Sequence, residues 1–144
     1  MRRALVLAAA FALVFALSAT ANAAIRITKI RYDPPGVDTG SNPSLKAEYI
    51  KLTNKGSHSV NLLGWKVFDT FFPAPYTFGT FNLGAGKSVF IHTGHGKDTH
   101  RHKYWDLNEY VWDNDGDTAT LKDYQGHKKD SCHYSGGPPG WTNC

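Results

Sequence analysis

Four of the seven histidines, His92, His95, His100 and His102, fall within eleven residues. On a strand, His100-Arg101-His102 would place both imidazoles on one side, because side chains alternate along β structure. Neutral imidazoles favour zinc or copper. The cluster lacks structural zinc spacing, however, and no cysteine stands near it. Gly94 and Gly96 suit turns. The expectation is a solvated polar loop, with a secreted metal-binding protein as the competing reading. Asp113, Asp115 and Asp117 alternate around Asn114 and Gly116, a pattern that can wrap a hard cation in oxygens. A helix-flanked calcium loop needs glutamate at its twelfth position, and Tyr124 stands there. Asp130, Ser131 and His133 are sequence neighbours, but a catalytic triad is a spatial arrangement, and no G-x-S-x-G elbow is present. Gly94-His95-Gly96 lacks the third glycine of a dinucleotide-binding turn. These residues predict no enzyme, no cofactor and no bound metal.

Aromatic rings are the other candidates. Phe71, Phe72, Tyr76, Phe78, Tyr104, Trp105 and Tyr110 could stack on sugars or peptides, although in a sandwich half of such rings belong to the core. Phe71-Phe72 precedes Pro73-Ala74-Pro75, a loop-like setting in which at least one ring is expected at the surface.

Met1-Arg2-Arg3, the uncharged apolar run 4–17 and the small-residue site Ala21-Asn22-Ala23 read as a cleaved signal peptide over residues 1–23. The apolar run is shorter than a membrane-spanning helix requires. No span is expected in residues 24–144, whose length suits one domain. Without Arg2 and Arg3 the formal charge of +4 falls to +2. Lys and Arg are scattered, apart from Lys128-Lys129 and the 101–103 stretch. A nucleic-acid reader usually carries a dense basic stripe, so nucleic-acid binding is the weaker alternative. Cys132 and Cys144 are the only cysteines, and an even count in an exported chain predicts a disulfide between them.

The elements that must position these residues read as strands. Ile50 and Leu52 alternate with Lys51, Asn54-Lys55-Gly56 breaks the pattern, and Trp65 and Val67 alternate with Lys66 and Phe68. Strands are predicted near 25–30, 47–53, 59–63, 64–69, 76–81 and 87–92, with a last hairpin at 118–123 and 127–131. Residues 33–43 are a Pro/Gly-rich loop, 83–86 a turn, and 93–105 irregular. No stretch of 24–144 shows helical periodicity over a helix length. Short strands separated by regular turns predict an all-β sandwich. The Gly/Pro-rich end, 135–144, reads as a tail tied down by the disulfide.

The order of these pieces resembles the lamin tail domain over most of residues 24–144. The matching segments are Ile25 to Ile30, the EYI-x-L-x-N run from Glu48 to Asn54, Leu62-Leu63-Gly64-Trp65, Leu83-Gly84-Ala85-Gly86, the run from Trp112 to Leu121, and Asp123 to Asp130. The resemblance implies an immunoglobulin-like β-sandwich that serves as a non-enzymatic binding or structural module, interacting here with an envelope or extracellular partner. Independently of it, Trp65 and Trp112 are expected as core anchors. Asn54 should close a turn through its side chain. Gly116 should take a backbone conformation that disfavours other residues. Glu48 is expected as a hydrogen-bond acceptor rather than a catalytic acid.

Overall fold

The computed structural model describes residues 24–144; the expected signal peptide, 1–23, lies outside the described residues. Alternating apolar residues produce the strands in chain order. They are β1 (Ile25–Arg31), β2 (Tyr49–Asn54), β3 (Val60–Asn61), β4 (Lys66–Phe68), β5 (Tyr76–Thr77), β6 (Asn82–Leu83), β7 (Ser88–His92), β8 (His102–Tyr104), β9 (Asp117–Lys122), β10 (Lys128–Tyr134) and β11 (Trp141–Asn143). A single turn of helix, α1 (Asn42–Ala47), precedes β2.

The strands form a five-stranded sheet in the order β11-β1-β2-β7-β8 and a four-stranded sheet in the order β10-β9-β4-β5. β3 and β6 make a separate two-stranded ladder. The ladders are antiparallel except for β7 with β8. The inward residues of both sheets make one core. Ile25, Ile27, Ile30, Ile50, Leu52, Val89 and Ile91 line one layer, and Val67, Ala119, Leu121 and Cys132 the other. Burying each larger aliphatic side chain contributes about 1.5–3 kcal/mol. The result is the expected all-β, immunoglobulin-like sandwich.

Trp65 and Trp112 are both buried in this core. Asn54 closes its turn as expected. Its amide donates to the carbonyls of His58 and Leu83, both at 2.8 Å, and its Oδ1 accepts from Gly56 N at 3.0 Å. Gly116 has φ +130°, and a Cβ there would lie 2.9 Å from the Tyr134 carbonyl oxygen, so no larger residue fits without movement.

Four expectations need correction. α1 was not legible, because six residues are too few to show a helical period; Leu45 is its one buried residue. The stretch expected to be irregular, 93–105, contains β8. Its residues pair with Phe90, Ile91 and His92 through the backbone, without apolar alternation. The expected turn at 83–86 begins inside β6. The end of the chain is more than a tail: β11 pairs with Lys29, Ile30 and Arg31 and extends the five-stranded sheet. The disulfide is formed, with the Cys132 and Cys144 Cα atoms 5.8 Å apart. Cys132 lies on β10 and Cys144 follows β11, so the bond joins the two sheets at their open edge.

Candidate functional site

Strand register decides what the five-stranded sheet shows to solvent. Residues directly opposite in a ladder share a face. Asn143 opposes Lys29, Lys29 opposes Lys51, Lys51 opposes Phe90, and Phe90 opposes His102. The adjacent row runs Trp141, Arg31, Tyr49, His92, Tyr104. Beside them, the Thr53 hydroxyl bonds Thr28 Oγ1 and Ser88 Oγ, each at 2.8 Å. The outer face therefore carries cations, rings and hydroxyls, and neither row holds a carboxylate.

The rings pack mainly against their neighbours. Tyr49 meets Phe90 edge-on at 5.2 Å, and Phe90 stacks with His102 at 5.4 Å. His92 stacks with His102 at 5.1 Å and with Tyr104 at 5.2 Å. Lys29 Nζ lies 3.8 Å from the centre of the Trp141 ring, and Lys51 Nζ lies 5.7 Å from that of Phe90.

A cleft of about 610 Å³ opens at the β7 end of this face. Its lining includes Lys51, Lys87, Ser88, Phe90, His100 and Arg101, and no acidic residue. Lys87, His100 and Arg101 are exposed. Three cations outside the cleft pair with acids: Lys103 with Asp98 at 3.1 Å, Lys129 with Asp123 at 2.9 Å, and Arg26 with Asp130 at 3.6 Å. Among the described residues, Lys51, Lys87 and Arg101 have no carboxylate within ion-pair distance.

The four clustered histidines do not converge. His92 Nδ1 lies 2.7 Å from the Lys46 carbonyl oxygen, so this nitrogen carries the proton and donates. The lone pair of neutral His92 then sits on Nε2 and accepts from His102 Nδ1 at 2.9 Å. Burial lowers the pKa of His92, which favours this neutral form. His95 turns away: Nε2 meets Asn108 Oδ1 at 3.0 Å, and Nδ1 lies 3.5 Å from Asp106. His100 lies outside β8, at an exposed bend, so the expected strand with both His100 and His102 on one side does not form. Among the described residues no three His, Cys, Asp or Glu side chains are arranged to hold a metal ion.

The acidic turn separates as well. Asp113 and Asp115 are exposed and Asp117 is buried. Asp117 Oδ1 accepts from Thr118 N at 2.5 Å. Asp69, buried nearby, accepts at Oδ1 from Phe71 N at 2.6 Å and from Phe72 N. Burial, and then the neighbouring Asp117 carboxyl, raise the pKa of Asp69 to about 7.

Glu48 is engaged through a single oxygen. It is fully buried, and its Oε1 accepts from Trp112 N at 2.7 Å, Thr93 Oγ1 at 2.9 Å and Val111 N at 3.0 Å. Burial pushes its pKa from 4.5 to about 8, against the opposing pull of these donors. It is the expected acceptor, and it ties the start of β2 to Thr93 and to the Val111-Trp112 backbone. Asp130, Ser131 and His133 do not form a triad: Asp130 Oδ2 accepts from Ile27 N at 2.8 Å, while His133 Nδ1 bonds Thr118 Oγ1 at 3.0 Å. Of the Phe71-Phe72 pair, Phe71 is exposed, while Phe72 packs edge-on against Trp105 at 6.2 Å.

Sequence reasoning missed the cleft. Lys51, Lys87 and Arg101 are far apart in the chain and each looks like an ordinary surface charge. The signal available was that Lys51 points outward between buried Ile50 and Leu52. Among the described residues no helix is long and apolar enough to cross a membrane. No curated protein matches the chain. The Lamin Tail Domain family matches residues 18–136, which takes in β1 to β10 and leaves β11 outside. The sandwich, its motif order and this match agree: the chain belongs to the lamin tail domain family.

Proposed function

We propose that this protein is an exported, non-catalytic binding module that attaches to a cell-envelope or extracellular partner. The observation that carries the reading is how the chain uses its acids. Glu48, Asp69, Asp117 and Asp123 are buried and accept from backbone N–H groups, so each has an oxygen committed to the fold. A general acid or base needs a proton partner on a substrate, and these groups face inward. What the surface offers is the cation-and-ring face of the five-stranded sheet. Export is supported by the signal-like residues 1–23 and by the disulfide, a bond that persists in oxidising compartments.

Two measurements test the reading. N-terminal sequencing of exported material should begin at Ala24, and a start before Ala21 would overturn the assigned processing. The purified protein should be retained by envelope or extracellular-matrix fractions of the producing cells and should show no turnover of phosphodiester, ester, peptide or glycoside substrates. Turnover abolished by a single substitution would refute the non-catalytic assignment.

A further inference from the structure

We infer that the cleft formed by β2, β7 and the 100–101 bend is a binding site for an acidic polysaccharide, with the anionic groups held by Lys51, Lys87 and Arg101. The inference rests on the binding-module reading and adds to it a place and a ligand class. The cleft volume of about 610 Å³ lies within the range of sites for small ligands, and the cleft is partly open to solvent. A partly open cleft can take a segment of a longer chain.

Charge supplies the complementarity. The lining is cationic and carries no acid, and its cations have no internal carboxylate partner among the described residues. Beyond the cleft, Lys29 stands directly opposite Lys51 on the next strand. Their ammonium groups diverge, Lys29 toward Trp141 and Lys51 toward Phe90, so the two cations can meet anions at separate points along a chain. Ser88 and Asn82 add polar groups in the lining that can meet sugar hydroxyls.

The same face argues against nucleic acid. Single strands are held by bases stacking on free ring faces. Here Phe90 stacks against His102 with Lys51 above it, and the Trp141 ring lies under Lys29. A duplex calls for a denser basic stripe than these few cations make. Acidic groups on a hydroxylated chain need no stacking platform. They need separated cations and hydrogen-bond donors, which the cleft has.

The test uses the disulfide-bonded protein, with retention and calorimetry on four polymers at low salt: polygalacturonate, dextran sulfate, neutral dextran and a single-stranded polythymidylate. The expected result is binding to at least one of the two acidic polysaccharides, weakening as salt rises. Neutral dextran should not bind. The carboxylate and sulfate arms show which anion the cleft prefers. Lys51→Glu with Arg101→Glu should weaken binding at least about tenfold, because opposed charges become like charges. Lys87→Ala with Arg101→Ala provides a milder second variant and should also weaken it. Lys66→Glu with Lys128→Glu places the same charge change on the other sheet and should leave affinity within about twofold if binding is local. No binding of either acidic polysaccharide overturns the inference. So does equal loss in both charge-reversed variants, or tighter binding of polythymidylate. If the polysaccharides fail while envelope fractions still retain the protein, the cleft assignment falls and the module reading stands. If retention fails as well, both fall.

Discussion

The interior of the sandwich and the outer face of the five-stranded sheet divide the chain's ionisable groups by type. Inside, carboxylates do the polar work. Glu48 gathers two backbone N–H groups and a hydroxyl, and Asp69 gathers two more N–H groups. Outside, Lys29, Arg31 and Lys51 share a face with rings and no acid. An acid buried on N–H donors is expensive to remove, because each donor left unpaired costs about 1–3 kcal/mol. A solvated lysine costs almost nothing to remove. The interior therefore governs stability and the face governs association.

The largest effect should come from Glu48→Ala, which orphans three buried donors. Equilibrium urea unfolding should show a loss of at least about 3 kcal/mol. A loss below about 1 kcal/mol would mean that the interior acids are not the staples described.

The titration of the same group sharpens the contrast. With its pKa raised from 4.5 to about 8, Glu48 binds more protons folded than unfolded between those values. Its contribution is fully present below about pH 4.5 and is lost as pH rises through about 8. That loss is on the order of a few kcal/mol. His92 acts with the opposite sign. Its lowered pKa makes the unfolded state the better proton binder, so its contribution is lost as pH falls below about 6.5. Denaturation midpoints measured between pH 5 and 9 should fall toward alkaline pH in the wild type. In Glu48→Gln that alkaline fall should flatten; an unchanged profile would remove Glu48 as its cause.

Cys132→Ser cuts the one covalent link between the sheets and should cost about 2–4 kcal/mol. The far-ultraviolet β signal should survive below the melting transition. Amide exchange at Trp141, Thr142 and Asn143 should rise more than anywhere in β9 or β10, because β11 pairs only with β1. Uniform loss of protection would show that the bond holds the whole sandwich rather than its open edge.

The smallest effects belong to the surface. Trp141→Ala removes the ring beneath Lys29 and should cost about 0.5–1 kcal/mol by thermal unfolding. Phe71→Ser, at a ring 75 % exposed, should change stability by less than about 0.5 kcal/mol. A large loss at Phe71 would mean that this ring is covered in solution.

Local pattern by itself determined the all-β class, most strands, the turn at Asn54, the tight position of Gly116 and the two tryptophan anchors. Alternation, turn chemistry and side-chain size act over a few residues, so they are written in the order of the chain. Two cysteines likewise left one possible pairing. Tertiary structure decided the rest. α1 spans too few residues to show a period, and β8 and β11 are strands only because β7 and β1 offer them unpaired backbone. The histidine cluster and the acidic turn looked like ligand sets because their spacing is close. Spacing does not fix direction, however, and in the fold His95 and His100 leave the His92–His102 pair while Asp117 separates from Asp113 and Asp115. The cationic cleft is the converse case. Lys51, Lys87 and Arg101 lie far apart in sequence, and they meet only because β2, β7 and β8 are laid side by side in register.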